Sequence, residues 1–129
     1  MVDKEIIDVP ELEDSRSRSY EQCLKVGDRV LVAGQTGAAE DGPISKEFEP
    51  QVRRTFERIE YALEAAGARL SDLVSMTVFI TDMRYAQEFK DIRGDILGDD
   101  LTTSALIGVD SLAQPGLLVE IQTEAIIVD

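Results

Sequence analysis

Lys25-Val26-Gly27-Asp28-Arg29-Val30-Leu31-Val32-Ala33-Gly34-Gln35-Thr36-Gly37 is the stretch that decides the fold. Gly27-Asp28 separates two strand-like runs, residues 20–26 and 29–33. A Gly-Asp pair in that setting predicts a tight hairpin, because glycine accepts the positive φ that a two-residue turn needs. The second run, Val30-Leu31-Val32-Ala33, is apolar without alternation, which predicts a strand covered on both faces. Gly34-Gln35-Thr36-Gly37 follows, and then a polar loop, AAEDGPISKEFE.

Downstream the period changes. Pro50 is suited to the first position of a helix, where its missing N–H costs nothing. Val52, Phe56, Ile59, Leu63 and Ala66 recur at spacings of four and three, one apolar stripe on a helix that Gly67 stops. From Leu73 to Ile80 the period is two, with Val74, Met76, Val78 and Ile80 assigned to one face of a strand. Asp82 is expected to cap a second helix with the stripe Tyr85, Phe89, Ile92 and Ile96, ended by Gly98. Residues 105–109 read as a short strand, Pro115-Gly116 as a turn and residues 117–128 as a long strand. Upstream, residues 1–15 are an acidic arm or a short edge strand, and residues 16–129 form the domain.

The resulting order is strand, strand, helix, strand, helix, strand, strand. It predicts an α+β domain with both helices on one face of a mixed sheet. The apolar strand leaves the other face in need of cover, which a second copy of the chain would supply.

Composition excludes several functions. The 129 residues suit one domain. There is no histidine, so His-based metal sites, Ser-His-Asp triads and Cys–His pairs are excluded. Cys23 is the single cysteine and reads as a packed apolar residue. Net charge is −13, aromatics are 5%, and there is no tryptophan, all against a nucleic-acid reader and against RNA cleavage. Nine arginines against four lysines suit a high-salt surface as well as an ordinary soluble one. No apolar run reaches the ~18 residues of a membrane span, and the N-terminus has no signal core, so the cytoplasm is expected. The acidic pairs Glu40-Asp41 and Asp99-Asp100 lack further ligands at loop spacing, so no metal is expected. Gly34-Gln35-Thr36-Gly37 has no lysine, so it is not a phosphate loop.

AGQTG after the second strand, ALEAAGA at the end of the first helix, VSMTVFITDM and LVEIQTEAI occur in this order. Together they resemble the reactive-intermediate deaminase (RidA/YjgF) family over most of the chain. The resemblance implies a chorismate-mutase-like fold in which three subunits close a central barrel, with helices outside and a small-molecule cleft at each subunit contact. It also implies hydrolysis of reactive imines or enamines to a ketone and ammonia, without a cofactor. A non-catalytic, metabolite-binding trimer is the alternative.

The resemblance also assigns roles to residues. Glu120 interrupts the apolar run Leu117-Leu118-Val119 before Ile121. A lone strand glutamate ordinarily faces solvent, but it matches the family's site glutamate, expected to hold and polarise the attacking water. Tyr20 matches the site tyrosine. Gly34 matches the glycine whose backbone approaches the ligand, and Gln35 is grouped with it as substrate-binding. Leu106 falls where a backbone carbonyl binds the imino nitrogen. The departure lies at Ser104, aligned with an arginine that grips a substrate carboxylate in the archetypal members. A serine cannot replace that bidentate grip. Thr103 and Ser104 can hydrogen-bond a neutral ligand instead. Lys90, Arg93 and Arg18 are the cations available to compensate, though each also suits an ordinary surface position.

Overall fold

The computed structural model describes residues 2–38 and 42–128, so the Glu40-Asp41 pair lies outside the described residues. The hairpin forms at Gly27-Asp28. Strand β2 (Cys23–Val26) pairs antiparallel with β3 (Arg29–Thr36), Val26 opposite Arg29. Gly27 alone takes positive φ, 58°, as the first position of a II′ turn requires.

Four further strands complete one six-stranded sheet: β1 (Glu5–Ile6), β4 (Leu73–Ile80), β5 (Thr103–Gly108) and β6 (Val119–Ile126). Their spatial order is β1-β2-β3-β6-β4-β5. The acidic arm thus supplies an edge strand, and Val9 and Leu12 behind it are buried. Every neighbouring pair is antiparallel except β4 and β5. Parallel neighbours need a crossover, which the helix α2 (Ala86–Leu97) provides.

The longer helix, α1 (Phe48–Ala65), starts two residues before Pro50. Pro50 remains in the first turn, where backbone N–H groups have no intrahelical partner. The whole predicted stripe of α1 is buried, and Gly67 at φ 83° ends it. Phe48 stacks on Tyr85 with ring centroids 4.3 Å apart, tying the start of α1 to the start of α2. Asp82 caps a 3₁₀ turn, Met83–Tyr85, accepting from the Arg84 amide at 2.9 Å; α2 begins only after it. Cys23 is fully buried, its thiol directed at the Ala62 carbonyl, and burial pushes its pKa up to about 11.

Two expectations about strand faces change. In β4, Met76, Val78 and Ile80 are buried, but Val74 is exposed and Leu73 takes its place. A register shift between Leu73 and Ser75 in the pairing with β6 reverses the alternation there. In β3, Val30 and Val32 are buried against the helices while Leu31 is 37% exposed. Both helices cover one face, so one chain covers Val30-Leu31-Val32 from a single side. The uncovered face is also more polar than the apolar run implied. At its centre Leu31, Ser75, Thr77, Gln122 and Glu124 surround a depression of about 190 Å³.

Strand ends differ as well. β5 begins at Thr103, two residues early, and β6 covers the inner part of residues 117–128. Among the described residues, no helix is long and apolar enough to cross a membrane.

Candidate functional site

Glu120 is the second residue of β6. Its neighbours Val119 and Ile121 are fully buried toward the helices, so alternation puts Glu120 on the open face. There it lies between Phe79 of β4 and Thr36 of β3. The carboxylate is half-buried, and burial pushes its pKa above the ordinary glutamate range. Among the described residues it has no ion-pair partner.

What Glu120 rests on is Gly34. Between Val32 and Gln35 the β3–β6 register shifts, so Ala33 and Gly34 together oppose the single residue Gln122. This β-bulge exchanges the faces of the strand. Before it Val32 points to the helices; after it Gln35 does, and Gly34 and Thr36 turn to the open face. The carboxyl group of Glu120 lies over Gly34, where an added Cβ would fall within 3.2 Å of three of its side-chain atoms.

Gln35 is therefore not where ligand contact was expected. It is 1% exposed, on the helix side, and its amide is fully committed. Its Nε2 donates to Gln22 Oε1 at 2.9 Å and to the Ala33 carbonyl at 3.1 Å, and its Oε1 accepts from Arg58 Nε at 3.2 Å. Arg58 in turn donates from Nη2 to both carboxylate oxygens of Glu13, at 3.0 and 2.7 Å. Gln22 Nε2 donates to Glu13 Oε1 at 3.4 Å and closes a ring of four side chains. Burial resists ionisation of Glu13, but the hydrogen bonds and charge of Arg58, with Arg18 beyond, outweigh it and hold the carboxyl below its ordinary range.

Tyr20 precedes β2. Ser19 in the left-handed region, φ 70°, and the Ser15 hydroxyl donating to the Tyr20 carbonyl at 2.6 Å turn the chain there. The Tyr20 ring is 40% exposed, with the Arg18 guanidinium 5.6 Å from its centroid. Among the described residues no hydrogen bond joins Tyr20 to Glu120.

The remaining candidates divide between the faces. Thr103 is opposite Ser75, on Glu120's side of the sheet, whereas Ser104 is opposite Met76, on the helix side. Arg93 Nη1 donates to Ser104 Oγ at 2.6 Å, and its guanidinium packs 5.0 Å from the Phe89 ring centroid. Ser104 and Arg93 thus lie across the sheet from the Glu120 carboxylate of the same chain. The position on the open face is Thr103, whose hydroxyl donates to the Val74 carbonyl at 3.1 Å. Leu106 is half-buried with its side chain toward the helices, and Lys90 is exposed on α2.

Gln51, Arg58, Glu13 and Gln22 escaped the reading of the sequence. Gln51 is fully buried; it donates to the Ser45 and Gly116 carbonyls and accepts from the Leu118 amide at 2.8 Å, fixing the approach to β6. A signal was present, since Gln51, Thr55, Arg58 and Ala62 repeat at helical spacing beside the apolar stripe, and all four are buried.

A family model described as Endoribonuclease L-PSP matches residues 13–127. The chain belongs to this family, that of RidA and YjgF. A RutC family protein of Pyrococcus abyssi is 33% identical over 101 residues, 77% of this chain and 80% of that one. The RutC family protein YjgH of Escherichia coli is 37% identical over 73 residues, 57% of this chain and about half, 54%, of that relative. The crystal structure of RidA from an Antarctic Psychrobacter superposes with a TM-score of 0.87 at 28% identity, covering 95% of this chain and 99% of that one. The mixed sheet with two helices on one face is the fold of this RidA/YjgF family.

Proposed function

We propose that this RidA/YjgF-family chain hydrolyses a small reactive imine or enamine, in a cleft that the open face forms with neighbouring subunits of a homotrimer. The observation that carries the reading is Glu120: a half-buried carboxylate with a raised pKa, on an otherwise uncovered face, seated on a glycine. A carboxyl group tuned toward neutrality can both accept and return a proton. Glu120 takes a proton from water as the water oxygen bonds to the C=N carbon. It returns that proton to nitrogen, giving a carbinolamine; Glu120 then takes the hydroxyl proton and passes it to the amine as the C–N bond breaks, leaving a carbonyl compound and ammonia. Tyr20, from a position ordered by Ser15 and Ser19, is assigned to orient water or substrate.

Thr103 narrows the substrate. It stands on the open face, while Arg93 is engaged with Ser104 on the other side and Arg29 with Glu124. A ligand without a carboxylate fits this lining better than an imino acid does. Ammonia release from a panel of neutral and carboxylated imines, by wild type and Glu120→Ala, tests the reading. Loss of turnover in an intact trimer supports it. Equal turnover by the variant, or a monomer in solution, overturns it.

On that face Arg29 is already paired with Glu124, which also favours a second reading, a trimer that binds a small metabolite without converting it. Saturable ligand stabilisation with no ammonia release would select it.

A further inference from the structure

The ring of Glu13, Gln22, Gln35 and Arg58, buried except for the partly exposed Glu13, lies on the opposite side of β3 from Glu120, yet it touches the residue that shapes the Glu120 site. Both backbone groups of Ala33, the first residue of the bulge, are held by ring members. The Ala33 amide donates to the Gln22 carbonyl at 2.8 Å, and the Ala33 carbonyl accepts from Gln35 Nε2 at 3.1 Å.

A strand without the bulge would alternate unbroken from Val32. Gln35 would then emerge on the open face beside Glu120, and Gly34 would turn toward the helices. That arrangement would leave Arg58 Nε and Gln22 Oε1 without partners in a place closed to water, since Arg58 is 2% and Gln22 7% exposed. Buried polar groups without partners are strongly disfavoured. The ring therefore selects the bulged register.

We propose that this ring sets the geometry of the Glu120 site, with Gln35 as its positioning residue: by drawing the Gln35 side chain inward it turns Gly34 outward, beneath the carboxylate. The proposal rests on the assignment of Glu120 as the site carboxylate, but it requires no particular reaction.

The test is a double-mutant cycle read on the Glu120 carboxyl titration by ¹³C NMR, in the assembly as purified. Burial is what raises the Glu120 pKa, and Glu124 further along the same strand face is paired with Arg29, so the midpoint reports the burial of Glu120. Gln35→Leu is expected to move the midpoint down toward the ordinary glutamate range. Ile59→Val, a core variant of α1, is expected to leave it in place. Gly34→Ala alone is expected to shift the midpoint, and to shift it less in the Gln35→Leu background, because the glycine is then no longer beneath Glu120. If Gln35→Leu does not fold, Gln22→Met opens the same ring and is read the same way. An unchanged midpoint in a folded ring variant, or strictly additive shifts, overturns the proposal. Ammonia release is assayed in parallel: wild type that releases none sinks the deaminase reading and leaves the titration result standing, and the converse holds equally.

Discussion

A Cβ placed on Gly34 would stand 2.5 Å from Oε2 of Glu120, closer than two such atoms can approach. The carboxylate therefore occupies the space that a side chain at position 34 would fill. Gly34 does not have positive φ, so the need for glycine here is one of space rather than of backbone conformation. Gly34→Ala is expected to push the flexible end of Glu120 aside. Ammonia release should fall at least about tenfold, the effect of losing ~1.4 kcal/mol of transition-state stabilisation. Stability should change by no more than about 0.5 kcal/mol, as for a surface substitution. Steady-state rates beside a thermal melt check both.

Glu120→Gln separates function from stability. Burial raises the folded-state pKa of Glu120. Its contribution to stability is thus fully present below the unfolded value, about 4.3, and is lost as pH rises through the higher folded value. The glutamine variant carries no such penalty. Its melting temperature should gain on wild type as pH rises from about 4 toward neutrality, while turnover disappears. Melts across that range measure the gain.

Glu13 has the opposite sign. Its carboxyl is held below the ordinary range by Arg58, so it stabilises above about pH 4.3 and that stability is lost as pH falls through the folded value. Glu13→Ala leaves the Arg58 side chain, 3% exposed, without its carboxylate. The Glu13 side chain is itself 38% exposed and Arg58 keeps its bonds to Gln35 and the Ala38 carbonyl, so the expected loss is about 1–2 kcal/mol at neutral pH, less than for a fully buried pair. Urea unfolding at pH 7 and pH 4 should show this loss shrinking in acid.

Gly37 meets backbone rather than a mobile side chain. A Cβ there would lie 2.9 Å from Cα of Gln51 in α1. Gly37→Ala must shift the helix, at a cost of about 1–3 kcal/mol by the usual range for overpacking. The same shift would disturb the bonds from Gln51 to Gly116 and Leu118 that lead into β6. Denaturant unfolding reads the cost, and the Leu118 amide exchange rate reads the disturbance.

Cys23 should be silent toward thiol reagents in the native state. The sulfur is fully buried and its pKa is pushed up to about 11, which leaves little thiolate at pH 8. Labelling should become rapid only in denaturant, and labelling of the native protein at the rate of a free thiol would contradict this packing.

The local elements were legible in the chain because each rests on neighbours in sequence. The Gly27-Asp28 hairpin, the stripe from Val52 to Ala66, the period-two run ending at Ile80 and the motif residues that place the chain in its family all rest on turn chemistry, spacing and side-chain type. What spacing could not reveal was which face each side chain takes, because a single extra residue in one strand reverses every assignment after it. The shift at Leu73 turned Val74 outward. Strand alternation put Thr103, not Ser104, on the side of Glu120. The bulge at Ala33-Gly34 sent Gln35 inward and Gly34 outward. That last exchange depends on residues far apart in the chain, Glu13 and Gln22 from the N-terminal segments and Arg58 from α1, whose hydrogen bonds can be completed in only one register. The sequence by itself determined the family, the main elements and the place of a lone glutamate in the last strand. The tertiary structure decided what that carboxylate rests on, because buried polar groups far apart in the chain must find one another before the strand's faces are set.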